Sequence, residues 1–194
     1  MAVYEYGRIA RLDESLRKAN VDPRVIDAIM QDGETIRPGS TTARKADWMR
    51  AAMERMDQLL EEDVRRKVRQ DCACCLGGKR LELSKAIARR GGSLSERVRA
   101  ANETKFVFGH SVTLEEDGRI LVRFAPDETA DNRCVCLPAA CEPISATYCY
   151  CCGGHVRRHL SIALSRELDV EVRSSSLSSG KKKPCSFWFT VREN

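Results

Sequence analysis

Tyr148–Val191 reads YCYCCGGHVRRHLSIALSRELDVEVRSSSLSSGKKKPCSFWFTV. The change of pattern inside it decides the fold. Over about 149 to 167, Cys152, Val156, Leu160, Ala163 and Leu164 recur at helical spacing and share one face, which predicts a helix. Strands are predicted next, at about 169–177 and 185–192, joined by a turn rich in Ser, Gly and Lys. Just upstream, the apolar runs Phe106–Leu114 and Ile120–Phe124 flank Glu115-Glu116-Asp117-Gly118, and Asp-Gly is a strong hairpin signal. Between hairpin and helix, 126–146 is expected to be a loop punctuated by Pro126, Pro138 and Pro143; so long a loop carries function or disorder. The order hairpin, loop, helix, hairpin describes an α+β unit: a four-stranded antiparallel sheet of two hairpins with a cysteine-bearing helix between them.

Working towards the start, the pattern is helical. Short helices are expected at Leu12–Ala19 and Val25–Met30, split by Asp22-Pro23. Pro38-Gly39-Ser40-Thr41-Thr42 breaks the chain and supplies N-cap residues. One long helix is predicted over about 43–70, because Met49, Met53, Met56, Leu60, Val64 and Val68 form one stripe. That stripe reads first as a core face and second as the surface of a homodimer. Helices follow at Gly78–Arg90 and Ser95–Ala101, separated by Gly91-Gly92-Ser93. These breaks suggest an N-terminal helical segment, 1–40, and a cysteine-rich α+β domain, 41–194.

Composition bounds the partners. The 194 residues are 42% hydrophobic and 31% charged, with a formal net charge of +5. Apolar content is normal, so global disorder is not expected. No run approaches a membrane span, and the start, Met1–Arg8, lacks the apolar region of a secretory signal. Charges of both signs are interspersed, so neither nucleic acid nor membrane is an expected partner. A cytoplasmic chain in a reducing compartment is expected, and its ten cysteines then point to metal ligation or redox chemistry rather than disulfides.

The cysteines come in clusters. Cys72-Ala73-Cys74-Cys75-Leu76-Gly77-Gly78-Lys79 repeats in outline as Cys149-Tyr150-Cys151-Cys152-Gly153-Gly154-His155. Cys134-Val135-Cys136 lies between them, with Cys141 close behind and Cys185 alone. Each CxCC contains a CxxC, and two CxxC pairs far apart suit tetrahedral zinc. Cys72, Cys75, Cys149 and Cys152 are therefore the expected metal ligands, with Cys134 and Cys136 supplementary. The same thiolates suit an iron–sulfur cluster as the alternative. A cysteine at a helix start has a lowered pKa, and the glycine pairs permit close approach. Cys141 and Cys185 are read equally as ligands or core residues. Cys151, His155 and His159 share a helix face, so Cys151 and His155 are the candidate nucleophile and base if the chain is an enzyme. His159, beside Arg157 and Arg158, reads as solvated, and His110 as structural. Glu142 is a minor candidate for a hydrolytic water. No phosphate-binding GxxxxGK[ST] or GxGxxG is present.

Tyr148–Val191 resembles the bacterial four-vinyl-reductase domain family through Cys151 or Cys152, Gly153, Gly154, Val170–Val172, Gly180 and Cys185-Ser186-Phe187. The resemblance implies a small-molecule sensor domain with a structural zinc. The zinc-containing aromatic sensors of this kind place a cysteine on the helix, a carboxylate and a cysteine next, and a cysteine after the turn. This chain keeps Cys151 and Cys185 but has Ser174 and Leu177 at the middle places. Residues 70–192 also resemble an uncharacterised family of anaerobe-associated bacterial proteins. The helix-plus-hairpin ending is similar to that of the aminothiazoline-carboxylate hydrolase family. The expected function is a zinc-binding module that binds or senses a small ligand. The alternatives are a thiol- or metal-dependent hydrolase and an iron–sulfur redox protein.

Overall fold

A computed structural model describes residues 3–192; Met1, Ala2, Glu193 and Asn194, which the reading above assigns to the two ends, lie outside the described residues. The helices are α1 (Gly7–Lys18), α2 (Pro23–Ile29), α3 (Thr42–Leu59), α4 (Glu62–Asp71), α5 (Gly78–Arg90), α6 (Leu94–Glu103), α7 (Lys105–Phe108) and α8 (Tyr150–Leu164). The strands are β1 (Ser111–Leu114), β2 (Ile120–Arg123), β3 (Leu168–Ser174) and β4 (Ser186–Val191). They form one antiparallel sheet in the order β1-β2-β4-β3. The two expected hairpins are present, and they join edge to edge through β2 and β4. Gly118, at φ +82°, makes the tight turn of the first. The α+β class and the N-terminal helices stand as expected.

Two elements differ from expectation. The single helix over 43–70 is two helices: Leu60 and Glu61 adopt extended backbone, with ψ of 141° and 150°. The apolar stripe continues through this break because α4 turns the same side inward, so periodicity alone did not reveal it. Phe106–Phe108 is helical rather than part of a strand. Four apolar-rich residues fit either period, and Gly109, at φ +93°, turns the chain from α7 into β1. The Met stripe is the core face that its spacing first suggests: Met49, Met53 and Met56 are buried within the chain.

One hydrophobic core runs through the molecule. Ile9, Leu12 and Leu16 of α1, the α3 methionines, Val156 and Leu160 of α8, and Phe187 and Phe189 of β4 belong to the same cluster. Helix α8 lies at its centre because Gly153 and Gly154 have no side chains. A Cβ on Gly154 would sit 2.4 Å from the Gln70 carbonyl oxygen of α4, and one on Gly153 would meet Val170 Cγ2 at 3.1 Å. The second glycine pair thus makes room for the protein's own α4 and sheet. Gly77 and Gly78 have open space around them, so the two CxCC–glycine motifs differ in structural role.

The candidate thiol site

The two CxCC motifs are presented differently. Cys72 caps the C-terminus of α4, and Cys74 and Cys75 lie in the loop before α5. Cys149 stands at the start of α8, with Cys151 and Cys152 in its first turn. The structure does not bring the four expected zinc ligands together. Cys72 is buried against Ser15 Oγ at 3.5 Å and the Arg11 carbonyl. Cys75 is exposed, its sulfur 3.8 Å from that of Cys74. Cys149 meets Ser175 Oγ at 2.9 Å and the thiol of Cys185. Among the described residues, no three His, Cys, Asp or Glu side chains stand together as a site able to hold a metal ion.

Other cysteines do meet. Cys136, from the 126–146 loop, stands beside the thiols of Cys134 and Cys152, and Cys152 stands beside Cys151. This row joins the supplementary pair of the sequence reading to the second CxCC, with half-buried Cys74 alongside. The thiols of Cys134 and Cys152 hold Cys136 as a thiolate well below the ordinary thiol range; the Arg8 and Arg69 guanidiniums add to this against the penalty of burial. Cys134 and Cys152, as its donors, are pushed up. Burial, with Cys75 beside it, pushes Cys74 up to about 11.

The two arginines were not singled out in the sequence. Arg69 is 3% exposed on α4; its Nη2 donates to the Tyr148 carbonyl at 3.2 Å, and its Nε has no partner. Arg8 donates from Nη1 to the Cys136 carbonyl. Among the described residues neither forms an ion pair with a carboxylate. Burial penalises the charge on Arg69, yet Cys72, Cys151 and the Tyr148 ring hold it in its cationic form. A buried charge needs a counter-charge, and thiolates are the groups within reach. The one sequence signal for Arg69 is its place beside Val68, at the edge of the α4 apolar stripe.

The histidines brace the site. His155 Nδ1 donates to the Cys74 carbonyl at 2.9 Å, and His159 Nε2 donates to the Cys75 carbonyl at 3.1 Å. Their rings meet edge to face at 4.7 Å. Burial lowers both pKa values, so both are neutral. The other nitrogen of His159, Nδ1, lies 3.1 Å from Ser84 Oγ, whose single proton is shared with the Arg80 carbonyl 2.9 Å away. His159 is therefore a buried clamp rather than the solvated residue expected. The clamp holds Cys75 at φ +61°. His155 gives its Nδ1 proton to backbone rather than to Cys151.

The remaining candidates stand apart. Cys141 is exposed, bonded only to the Ala139 carbonyl, and Glu142 is exposed beside it. Cys185 accepts from the Ser176 N–H at 3.4 Å beside Cys149. Ser174 Oγ donates to the Pro184 carbonyl, 2.5 Å away, and meets Ser186 Oγ at 2.7 Å, and Leu177 is buried, so neither supplies a ligand.

Two clefts open onto the thiol row. One, of about 310 Å³, has Cys136, Cys151 and Cys152 at its floor and Phe106, Val107 and Phe124 on its walls. The other, of about 250 Å³, reaches Cys134, Cys136 and Cys185 from the side of the loop. Val135, 91% exposed, stands between them. No helix among the described residues is long and apolar enough to cross a membrane.

A family model described as a family of unknown function (DUF6144) matches residues 15–190. No curated protein matches the chain, and no solved structure does.

Proposed function

For a chain that belongs to the DUF6144 family of unknown function, we propose a small-ligand-binding module whose thiols engage the ligand directly. The observation that carries this reading is the Cys136–Cys152–Cys151 row at the floor of a cleft, backed by two arginines that pair with no carboxylate among the described residues. A thiolate is the soft nucleophilic form of cysteine, so a thiophilic group is the complementary ligand chemistry. The likeness of Tyr148–Val191 to sensor domains agrees with a binding role.

Phenylarsine oxide tests this. Its As=O condenses with two thiols, forming two As–S bonds and releasing water. With the Cys74–Cys75 pair removed by Cys75→Ser, the chain should still take up one equivalent, seen by intact mass. In that background Cys136→Ser and Cys152→Ser should lose it. Uptake that survives both added variants, or that is absent from Cys75→Ser itself, overturns the reading.

A metal–thiolate centre, zinc or iron–sulfur, is the second reading. One observation favours it: four thiolates around a divalent ion carry a net charge of −2, which the two guanidiniums of Arg8 and Arg69 would offset. Cys134, Cys136, Cys151 and Cys152 would hold it, but only after their side chains turn to converge, since no such group is assembled. Metal analysis of anaerobically purified chain decides between the readings: stoichiometric zinc or iron that blocks arsenical uptake puts the second ahead. A hydrolase using Cys151 and His155 has less support, because the His155 ring is engaged by backbone.

A further inference from the structure

We infer that the cleft over the thiols selects a small apolar molecule bearing one anionic group, with its apolar body against Phe106 and Val135 and its anion at Arg80 and Lys105. The inference rests on the thiol-floored cleft being the ligand's seat, and it adds what kind of molecule sits there.

Three observations converge. First, Phe106 is 53% and Val135 91% exposed, and both line this one cleft, from α7 and from the 126–146 loop. Single exposed apolar residues are ordinary, but large ones gathered in one concave space mark a binding site. Val107 and Phe124 continue the apolar wall inward.

Second, the cationic side chains lining the cleft are Arg80 and Lys105; no Asp or Glu lines it. Neither cation forms an ion pair with a carboxylate among the described residues. The Arg80 guanidinium lies 4.3 Å from the centre of the Phe106 ring, so the positive charge is fixed to the aromatic wall. Lys105 donates to the His110 carbonyl, which leaves two of its three N–H donors free. His155 between wall and floor is neutral through burial and adds no competing charge.

Third, the thiolate floor does not repel an anion as an isolated thiolate would. Arg8 and Arg69 line a small cavity with Cys74, Cys136 and Cys151, three cysteines that also line the cleft, so two more cations stand next to its floor. The larger groove of about 910 Å³ at the end of α8 is also arginine-rich. It contains Glu167 and no thiol, which makes it the internal control.

Anilinonaphthalenesulfonate and its uncharged parent, phenylnaphthylamine, share one apolar body and differ by the anion. Both are titrated against the full chain by fluorescence. The sulfonate should bind at least about tenfold more tightly, and its affinity alone should fall with added salt. The double variant Arg80→Gln/Lys105→Gln, with its fold checked by circular dichroism, should lose that advantage and keep the parent's affinity. Arg158→Gln in the control groove should change neither. No binding, equal binding of the two dyes, or loss in Arg158→Gln instead of the double variant overturns the inference. Arsenical uptake without sulfonate preference removes this inference and leaves the thiol reading; sulfonate preference without arsenical uptake does the reverse.

Discussion

At the scale of single residues, the site turns on Cys136, held down first by the thiols of Cys134 and Cys152 and then by the guanidiniums of Arg8 and Arg69. The thiolate is the reacting form, so a depressed pKa keeps Cys136 reactive as pH falls below the ordinary thiol range of about 8.5. Iodoacetamide mapping by mass spectrometry should find Cys136 labelled at mildly acid pH, with Cys134 and Cys152 labelled only when alkaline. Equal profiles for all three would remove the thiolate. Arg69→Met takes away one of the two stabilising cations while keeping an apolar stem, and it should move the Cys136 profile up, by less than Cys152→Ser does. The cysteine clusters were legible in the sequence because their spacing is distinctive. Which thiols meet was not, since that depends on how the 126–146 loop folds back over α8. Arg69 has the same letter as the half-buried, ion-paired Arg65 and Arg66 on α4, and its full burial without a carboxylate partner among the described residues sets it apart.

At the scale of elements, the two CxCC–glycine motifs look like copies and behave differently. Gly154 sits where a Cβ would strike the α4 backbone, and backbone cannot rotate away. Gly154→Ala should therefore destabilise by about 1–3 kcal/mol or more, measured by urea unfolding. Gly77→Ala, with nothing within 4 Å of its Cβ and φ at −123°, should lie within about 0.5 kcal/mol of wild type. Similar losses at both positions would mean that the motifs are equivalent after all. The start of α6 carries a full capping box, with Ser93 and Glu96 each satisfying the other's backbone N–H; Ser93→Ala should cost about 1 kcal/mol in the same assay. The helix at 78–90 was readable to the residue because glycines stand at both ends. The α3–α4 break was hidden because no Gly or Pro marks it.

At the scale of the whole molecule, the expected division at residue 40 meets a core that crosses it. Ile9 and Leu12 share a cluster with Phe187 and Phe189. Trp48 on α3 belongs to that core, and Trp188 on β4 is half-buried on the opposite sheet face from Phe187 and Phe189, so the two report from separate parts of the molecule. Single-tryptophan variants Trp48→Phe and Trp188→Phe should show coincident urea transitions by fluorescence; two separated midpoints would mean two cooperative units. The class and the hairpins were legible because strand period and Asp-Gly turns are local signals. The sheet order was not, since nothing local states that β2 pairs with β4. That order has a consequence in time. The strand synthesised last of the four, β4, occupies an interior place in the sheet, between β2 and β3. Until Ser186–Val191 leaves the ribosome, both of those strands present open hydrogen-bonding edges. A nascent or clipped chain ending before Ser186 would carry two templates for pairing with a neighbour, so aggregation during synthesis depends on how quickly β4 follows β3.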